Sequence, residues 1–243
     1  TVLGRSNDSL PPIAIRGGRL KGIDYHLRVA SAQIKSCILI AGINADGTTS
    51  IHQPAPSRDH TERMLEAMGA TIDFQGLTIN IKRQELKSVN IRVPGDISSA
   101  AFWIVAGCCH PNASIKISGV GINKTRTGIL DVLKSMGARI RIENIRENNG
   151  EPSADIIAES SDLRCTDISG ETIPMVIDEL PVLALAAATA RGVTRIENAG
   201  ELRVKESDRI KATVHGLSRM GARIEETDQG MIIQGGRRLK GAR

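Results

Sequence analysis

Aromatic side chains are the scarcest class in this sequence, with one Trp, one Tyr and two Phe among 243 residues. A protein that binds nucleic acid more often combines clustered Lys and Arg with aromatic side chains for base stacking. We therefore expect no nucleic-acid partner, although the net charge of +5 suits an anionic ligand. The scarcity also predicts a core made of aliphatic side chains and Ala.

Long apolar runs and cysteine-pair motifs are missing too. No stretch approaches the ~20 apolar residues that a membrane span needs, and no basic-then-apolar signal peptide opens the sequence. The sequence begins with Thr1 rather than Met, which suits a processed or cut chain. We expect no membrane partner and a cytoplasmic protein.

The cysteines form no CxxC pair, which favours buried reduced thiols over a disulfide or a zinc site. They are Cys37, Cys108, Cys109 and Cys165.

One motif, Met-Gly-Ala-x-Ile, occurs three times, at residues 68–72, 136–140 and 220–224. Each copy follows a helix-like stretch that carries a Leu four residues before the Gly. A Gly at this place is typical of a helix C′ position, where the backbone turns left-handed. The motif therefore predicts three helix ends, each followed by a strand.

The repeat extends on both sides of this motif. A second strand is predicted after it, and a β-rich piece and an apolar, Ala-rich segment precede its helix. The apolar segments are residues 37–43, 102–109 and 182–190. They do not alternate, and their small residues favour helices that are buried on all sides. Each copy is thus helix, strand, helix, strand, strand, with a short strand in front, and the fold class is α/β.

Pro94 and Gly95 lie between the first and second full copies, and Pro followed by Gly is strong punctuation in a sequence. We place a domain crossover there and predict two domains, residues 1–92 and 93–243. A truncated fourth copy is visible near the start, because residues 13–22 resemble residues 231–241.

Polar residues recur where the predicted helices begin, among them Ser31, Ser57, Asp96 and Asp178. Helix N-termini bind anions, but Ser and Asp there are also ordinary N-caps, which is the favoured interpretation for any one of them. For Asp178 and Glu179 the alternative is a general base. A cation at this position opposes the helix dipole unless an anion or carboxylate faces it. The repeated cations predict a cleft for a ligand with phosphate and carboxylate groups. They are Arg58, Lys124, Arg126, Lys205 and Arg209.

Several of these segments together resemble the EPSP synthase family, the 3-phosphoshikimate 1-carboxyvinyltransferases. The segment RVKESDR at residues 203–209 is similar to the family signature RVKE(S/T)DR. The other matching segments are VASAQIKS at 29–36, PSRDHTER at 56–63, PGDISSAA at 94–101 and IDELP at 177–181. The resemblance covers essentially the whole chain, and the SAQ and SRDH variants resemble the class II bacterial branch.

The resemblance implies a two-domain enolpyruvyl transferase fold of repeated βαβαββ units, with buried parallel helices and outward-facing mixed sheets. It implies transfer of the enolpyruvyl group from phosphoenolpyruvate to the 5-hydroxyl of shikimate 3-phosphate, with release of phosphate. It also implies no metal, no organic cofactor and a monomeric full-length protein. Residues 1–92 would belong to an N-terminal-type domain on the shikimate 3-phosphate side, and residues 93–243 to a C-terminal-type catalytic domain, both incomplete.

Residue by residue, the resemblance implies that Asp178 takes the proton of the 5-hydroxyl, with Lys205 beside it on the same substrate. Lys205 and Glu206 would serve proton transfer at the enolpyruvyl carbon, and Arg209 would hold phosphoenolpyruvate. Asp96 would lie near the cleft with an open role. Shikimate 3-phosphate would be bound by residues of the first domain, which are Ser31, Ala32, Gln33, Ser57 and Arg58.

Three features of the family are missing from the sequence. They are the Asp-Lys-Ser-x-Ser-x-Arg motif that grips both substrates, the Asn-(Ala/Ser)-Gly-Thr segment beside the phosphoenolpyruvate site, and the C-terminal Arg and Lys that complete that site. Family members are also considerably longer than this chain. We therefore expect the isolated chain to have little or no transferase activity.

Two alternatives remain open. The UDP-N-acetylglucosamine enolpyruvyl transferases share the implied fold, but the RVKESDR segment argues against them. Their catalytic acid is a Cys in a loop, whereas Cys108 and Cys109 lie inside a predicted apolar helix. The second alternative is a non-catalytic fragment or binding module that keeps affinity for shikimate 3-phosphate.

Overall fold

The computed structural model describes residues 2–236 and 238–242. The chain divides into two compact units, the first ending at Asn90 and the second starting at Ile91. Each unit has its own cluster of buried aliphatic side chains. The predicted boundary, between residues 92 and 93, lies two positions further along the chain.

The first unit contains a β-hairpin, a four-stranded sheet and two regular helices. Its elements are β1 (Val2–Gly4), α1 (Arg5–Asp8), β2 (Leu10–Ile15), β3 (Asp24–His26), α2 (Ala32–Gly42), β4 (Thr48–His52), α3 (His60–Ala67), β5 (Asp73–Gln75) and β6 (Thr78–Lys82). The strand order is β3-β4-β6-β5, in which β3 runs parallel to β4 and the other neighbours are antiparallel. α1 is a single irregular turn, because Ser6 and Asn7 have positive φ.

The second unit contains two three-stranded antiparallel sheets and five helices within the described residues. Its elements are α4 (Ile97–Cys109), β7 (Ser114–Gly121), α5 (Gly128–Ser135), β8 (Arg139–Asn148), β9 (Glu151–Glu159), α6 (Ile173–Val176), α7 (Leu180–Thr189), β10 (Val193–Ile196), α8 (Arg209–Arg219), β11 (Arg223–Thr227) and β12 (Gly230–Gln234). Two 3-10 helices, Gly170–Thr172 and Gly200–Val204, precede α6 and α8. The strand orders are β7-β9-β8 and β10-β12-β11.

The predicted repeat is confirmed in the topology of the sheets. In every copy the last strand lies in the middle, because β6, β9 and β12 each pair with the two strands that precede them. The short strand in front is complete only in the first copy, where it is β3. In the other two copies an isolated parallel β-bridge takes the place of this strand, between Gly95 and Val120 in one and between Ile168 and Ile196 in the other.

The three Met-Gly-Ala motifs end three helices in one geometry. Gly69, Gly137 and Gly221 have φ of 89°, 88° and 91°, the left-handed region that Gly adopts without steric cost. After each Gly, the N–H of Ala donates to the carbonyl of the Leu five positions earlier, at 2.9 to 3.0 Å. This is the hydrogen-bond pattern of a Schellman motif, so the prediction of three glycine-terminated helices is confirmed.

The prediction that the apolar helices are buried on all sides is correct only for α7. Seven of the ten residues of α7 are buried. By contrast, α4 leaves Phe102 66% and Trp103 61% exposed, and α2 leaves Ile40 51% exposed. The reason is that α4 packs against β7, β9 and α7 on one side only, and a sequence that is apolar all round does not say which side that is.

None of the helices in the described part of the chain is long and apolar enough to cross a bilayer by itself. One bent pair, Gly170–Val176 with Leu180–Thr189, passes by combined length and composition at an angle of 111°. Its second member is the buried helix α7, whose apolar surface is used in the core of the second unit.

Cysteine alkylation tests the packing of α4. Burial raises the pKa of the Cys108 thiol to about 12, with a smaller contribution from Cys109. The expectation of buried thiols is wrong for Cys37, which is exposed. Because only the thiolate reacts, we expect iodoacetamide at about pH 8 to modify Cys37 and to spare Cys108 in the folded chain. Peptide mass spectrometry measures both sites, and a sample unfolded in guanidinium is the control. Equal labelling in the folded chain would contradict the buried position of Cys108.

Candidate active site

The N-terminal ends of two helices in the second unit bring three predicted site residues together. Asp178 lies just before α7, and Arg209 is the first residue of α8. The Nη1 atom of Arg209 is 3.3 Å from Asp178 Oδ1, and its Nη2 atom is 2.7 Å from Glu206 Oε2. One guanidinium therefore joins two carboxylates, one from each helix entrance.

These ion pairs determine the protonation of the cluster. The pKa of Glu206 is lowered by a hydrogen bond from its own backbone N–H and then by the bond from Arg209. The pKa of Arg209 is raised, chiefly by the same bond to Glu206. At neutral pH both side chains are therefore charged. An ionised Glu206 can accept a proton before it can donate one, and Arg209 remains a cation able to attract an anion.

A second cluster, which we call the Arg126 cluster, consists of Asp96, Ser98, Arg126 and Glu179. Arg126 Nη2 lies 2.5 Å from Ser98 Oγ, 3.5 Å from Asp96 Oδ1 and 3.6 Å from Glu179 Oε1. The Ser98 hydroxyl donates a short hydrogen bond to Glu179 Oε1. Glu179 is only 2% exposed. Because Glu179 is the chain neighbour of Asp178, the cluster fixes the backbone that carries the predicted general base.

Asp96 joins this cluster from the start of α4. Its carboxylate accepts hydrogen bonds from the backbone N–H groups of Ser98 and Ser99 at 3.2 and 3.0 Å. Partial burial pushes the pKa of Asp96 upward, but the bonds from Ser99 and Ser98 and the charge of Arg126 outweigh it and leave the pKa below its usual value. Asp96 is thus an ionised helix cap that also faces a cation.

Carboxylates face several of the cations predicted at helix starts. Arg126 and Arg209 have the partners just described, and the ammonium of Lys205 is 2.9 Å from Glu201 Oε1. The Lys205 side chain is 27% exposed, so water still reaches it. These carboxylates offset the unfavourable interaction of a cation with the positive end of the helix dipole.

The N-cap interpretation holds for some of the predicted residues and fails for others. Ser31 caps α2 by accepting from the Ile34 N–H at 3.4 Å, and Asp96 caps α4. Glu179, at the N-cap position of α7, makes no side-chain capping bond. Instead Glu179 contacts Ser98 and Arg126, while Asp178 contacts Arg209. Both carboxylates at this helix start therefore contact side chains of other elements, and Glu179 does so without capping α7.

In the first unit, a buried ion pair links the two predicted substrate-binding segments. Lys35 of α2 and Glu62 of α3 are 1% and 3% exposed, and their Nζ and Oε1 atoms are 2.6 Å apart. Lys35 Nζ also donates to the backbone oxygen of Ser57 at 3.4 Å. The loop of Ser57 and Arg58 is thereby held against the helix that begins with Ser31, Ala32 and Gln33.

The sequence did not single out Lys35 or Glu62 as functional, although a signal was present. Lys35 is the one charged residue of the mostly apolar α2 segment Ala32–Gly42. A charge at such a position needs a partner when it is buried. Ser57 is positioned further by its hydroxyl, which donates to Gln53 Oε1 at 2.8 Å.

The fold and these clusters define a class of protein: an α/β chain of repeated βαβαββ plan, with carboxylates and cations gathered at helix N-termini. The family model for EPSP synthase (3-phosphoshikimate 1-carboxyvinyltransferase) matches residues 1–243. The chain belongs to the EPSP synthase family.

Individual relatives agree with this assignment. The 3-phosphoshikimate 1-carboxyvinyltransferase of Desulforamulus reducens is 53% identical over 243 residues, which are 100% of this chain and 57% of the relative. That of Desulforudis audaxviator is 54% identical over 242 residues, covering 99% and 56%. A solved EPSP synthase from Acinetobacter baumannii superimposes with a TM-score of 0.88 and 46% identity, covering 97% of this chain and 54% of that one. The chain thus spans a little over half the length of these relatives.

Proposed function

We propose that this chain supplies the central part of an enolpyruvyl transferase. The reaction transfers the enolpyruvyl group of phosphoenolpyruvate to the 5-hydroxyl of shikimate 3-phosphate and releases phosphate. The observation that carries the proposal is the cluster of Asp178, Glu206 and Arg209 in a chain that matches the EPSP synthase family over its whole length. On this proposal residues 93–243 carry the catalytic side and residues 1–92 the shikimate 3-phosphate side.

The geometry of the second unit supports a division of roles. Asp178 accepts the proton of the 5-hydroxyl as the oxygen forms its bond to the central carbon of phosphoenolpyruvate. Lys205 and Glu206 serve the proton that is first added to the terminal carbon and then removed when phosphate leaves. The lowered pKa of Glu206 suits the removal, because the group is ionised at rest. Arg209 binds the phosphoenolpyruvate anion in exchange for part of its bonding to the two carboxylates.

The first unit supports binding rather than chemistry. Ser31, Ala32 and Gln33 present the N-terminal end of an 11-residue helix, whose free N–H groups favour an anion. Ser57 and Arg58 add a hydroxyl and a guanidinium from the loop that Lys35 anchors. A phosphate ester is the ligand that matches a helix N-terminus and an arginine. Asp96 contacts Arg126 within the Arg126 cluster and is proposed as a positioning residue.

A chimera tests the proposal. Residues 1–243 replace the matching segment of a full-length relative, and phosphate release is measured with both substrates. We expect turnover that requires shikimate 3-phosphate and phosphoenolpyruvate, and loss of phosphoenolpyruvate affinity in Arg209→Gln with partial recovery in Arg209→Lys. A cooperative thermal unfolding transition confirms that each variant is folded. A folded chimera that binds shikimate 3-phosphate without releasing phosphate would favour the binding-module alternative instead. The expectations of a monomer, a cytoplasmic location and a reaction without cofactors stay predictions.

A further inference from the structure

Three metal-ligating side chains meet on the outer face of the first unit's sheet, outside the residues proposed for transfer. Asp24 and His26 lie on β3, and His52 lies on the neighbouring β4. The parallel register pairs His26 directly with His52. Their imidazole rings stack with centroids 4.1 Å apart and planes inclined by 13°. Within the described residues, this is the group of three His, Cys, Asp or Glu side chains whose ligand atoms all lie within 4.8 Å of one another.

The two distances from the Asp24 carboxylate to the histidine nitrogens are close to those of a coordination shell. Asp24 Oδ1 is 3.6 Å from His26 Nε2 and 2.7 Å from His52 Nε2. Ligands at about 2.1 Å from a tetrahedral zinc ion are roughly 3.4 Å apart. The His26 distance already matches this separation. The His52 Nε2 atom needs to move by less than 1 Å, roughly, from the hydrogen bond that it now makes to Asp24. The two stacked rings must also rotate, because an ion lies near the plane of each imidazole that binds it.

Thr78 of β6 orients His52 from the other side of the ring. Its Oγ1 atom is 2.9 Å from His52 Nδ1. Without a metal ion, the Nε2–H of His52 donates to Asp24 Oδ1. Metal binding requires this proton to leave Nε2, with the proton on Nδ1 donated to the Thr78 hydroxyl and the lone pair of Nε2 available to the ion. A hydrogen bond to the second ring nitrogen is the usual support of a metal-bound histidine. The pair of β4 and β6 residues is fixed by their antiparallel register, in which His52 lies opposite Thr78.

We propose that Asp24, His26 and His52 bind a divalent transition-metal ion, with Zn²⁺ as the representative ion. Two imidazoles and one carboxylate suit Zn²⁺, Ni²⁺ or Cu²⁺ better than Mg²⁺ or Ca²⁺, which prefer oxygen ligands. The remaining coordination positions are open to water, because Asp24 and His26 are 70% and 78% exposed. The ion joins β3, a three-residue strand at the sheet edge, to β4. It therefore acts as a clamp on the sheet and has no part in enolpyruvyl transfer.

Calorimetric titration tests this site in the 243-residue chain after removal of metals by dialysis against a chelator. With ZnCl₂ as the probe we expect one saturable site per chain. His26→Gln and His52→Gln are each expected to weaken binding by about tenfold or more, and Thr78→Val by about tenfold through loss of the orienting bond. His215→Gln, on the exposed surface of α8, is the matched control and should bind as the unchanged chain does.

A second measurement separates loss of a ligand from loss of folding. Zn²⁺ should slow hydrogen exchange of the β3 amides in the unchanged chain and not in His26→Gln, whose replaced side chain is highly exposed and leaves the core intact. The absence of saturable zinc binding would overturn the proposal. So would zinc affinity that survives in the His26→Gln, His52→Gln double variant, because the ion would then lie elsewhere. None of these outcomes depends on transferase activity, so the site and the proposed function fail independently.

Discussion

Replacing Lys35 with Met is expected to lower the free energy of unfolding of the first unit by about 3–5 kcal/mol. The substitution leaves the Glu62 carboxylate buried without its cation, since the two side chains are 3% and 1% exposed and 2.6 Å apart. Among the described residues, Glu62 Oε2 is already a buried oxygen without a hydrogen-bond partner. The burial of the Glu62 carboxylate is therefore only partly compensated by its contacts even when Lys35 is present. Without Lys35, the full free-energy cost of removing this carboxylate from water destabilises the folded chain.

Urea unfolding followed by circular dichroism measures this effect, and two variants sharpen it. The double variant Lys35→Met, Glu62→Leu should recover most of the loss, because no unpaired charge remains. Arg83→Met breaks a surface pair with Asp46, 69% and 56% exposed, in the same unit, and should cost less than about 1 kcal/mol. A Lys35→Met chain as stable as the Arg83→Met chain would contradict the buried position of the pair.

The consequence for the proposed site follows from the second bond of Lys35. Its ammonium holds the backbone oxygen of Ser57, so the stable double variant still lacks the anchor of the Ser57 loop. We therefore expect the double variant to fold normally but to bind shikimate 3-phosphate more weakly. Stability and ligand affinity are separated in this way, which a single substitution at Lys35 cannot achieve.

The local part of the fold could be predicted from the sequence because its causes are local. The Met-Gly-Ala motif defines a helix end through the φ of one Gly and a hydrogen bond to a Leu five residues earlier than the Ala. Three copies of one local rule, found in one chain, were enough to indicate the repeated unit and its strands. The residues at helix starts were found for the same reason.

The contacts between those elements could not be predicted in the same way. The bond between Ser98 and Glu179 joins residues 81 positions apart, and its existence depends on how two copies of the repeat pack. Likewise, the sequence of α4 is apolar all round and does not indicate which side of the helix faces the core. The exposure of Phe102 and Trp103 could therefore not be predicted. The pairing of His26 with His52 depends on the register of β3, which a three-residue strand leaves unspecified in the sequence.

Asp178→Asn is expected to lower the kcat of the chimera by about 10²–10⁴-fold, the usual contribution of a general base. Asn keeps the size and the polar oxygen of Asp but cannot accept the proton of the 5-hydroxyl. Arg209 retains Glu206 as a partner at 2.7 Å, so the cation is not left alone in the variant. The loss should therefore appear in the chemical step, measured as phosphate release in a single turnover with saturating substrates.

The split between kcat and KM distinguishes this role from a merely electrostatic one. If Asp178 served only to position Arg209, its replacement would raise the KM for phosphoenolpyruvate and leave kcat nearly unchanged. Asp162→Asn is the matched control, since Asp162 is also an aspartate paired with an arginine, Arg191 at 3.0 Å, but is 65% exposed. A general base gives a large fall in kcat for Asp178→Asn alone. Equal, small effects of both substitutions would assign the proton transfer to another group and leave Asp178 as the partner of Arg209.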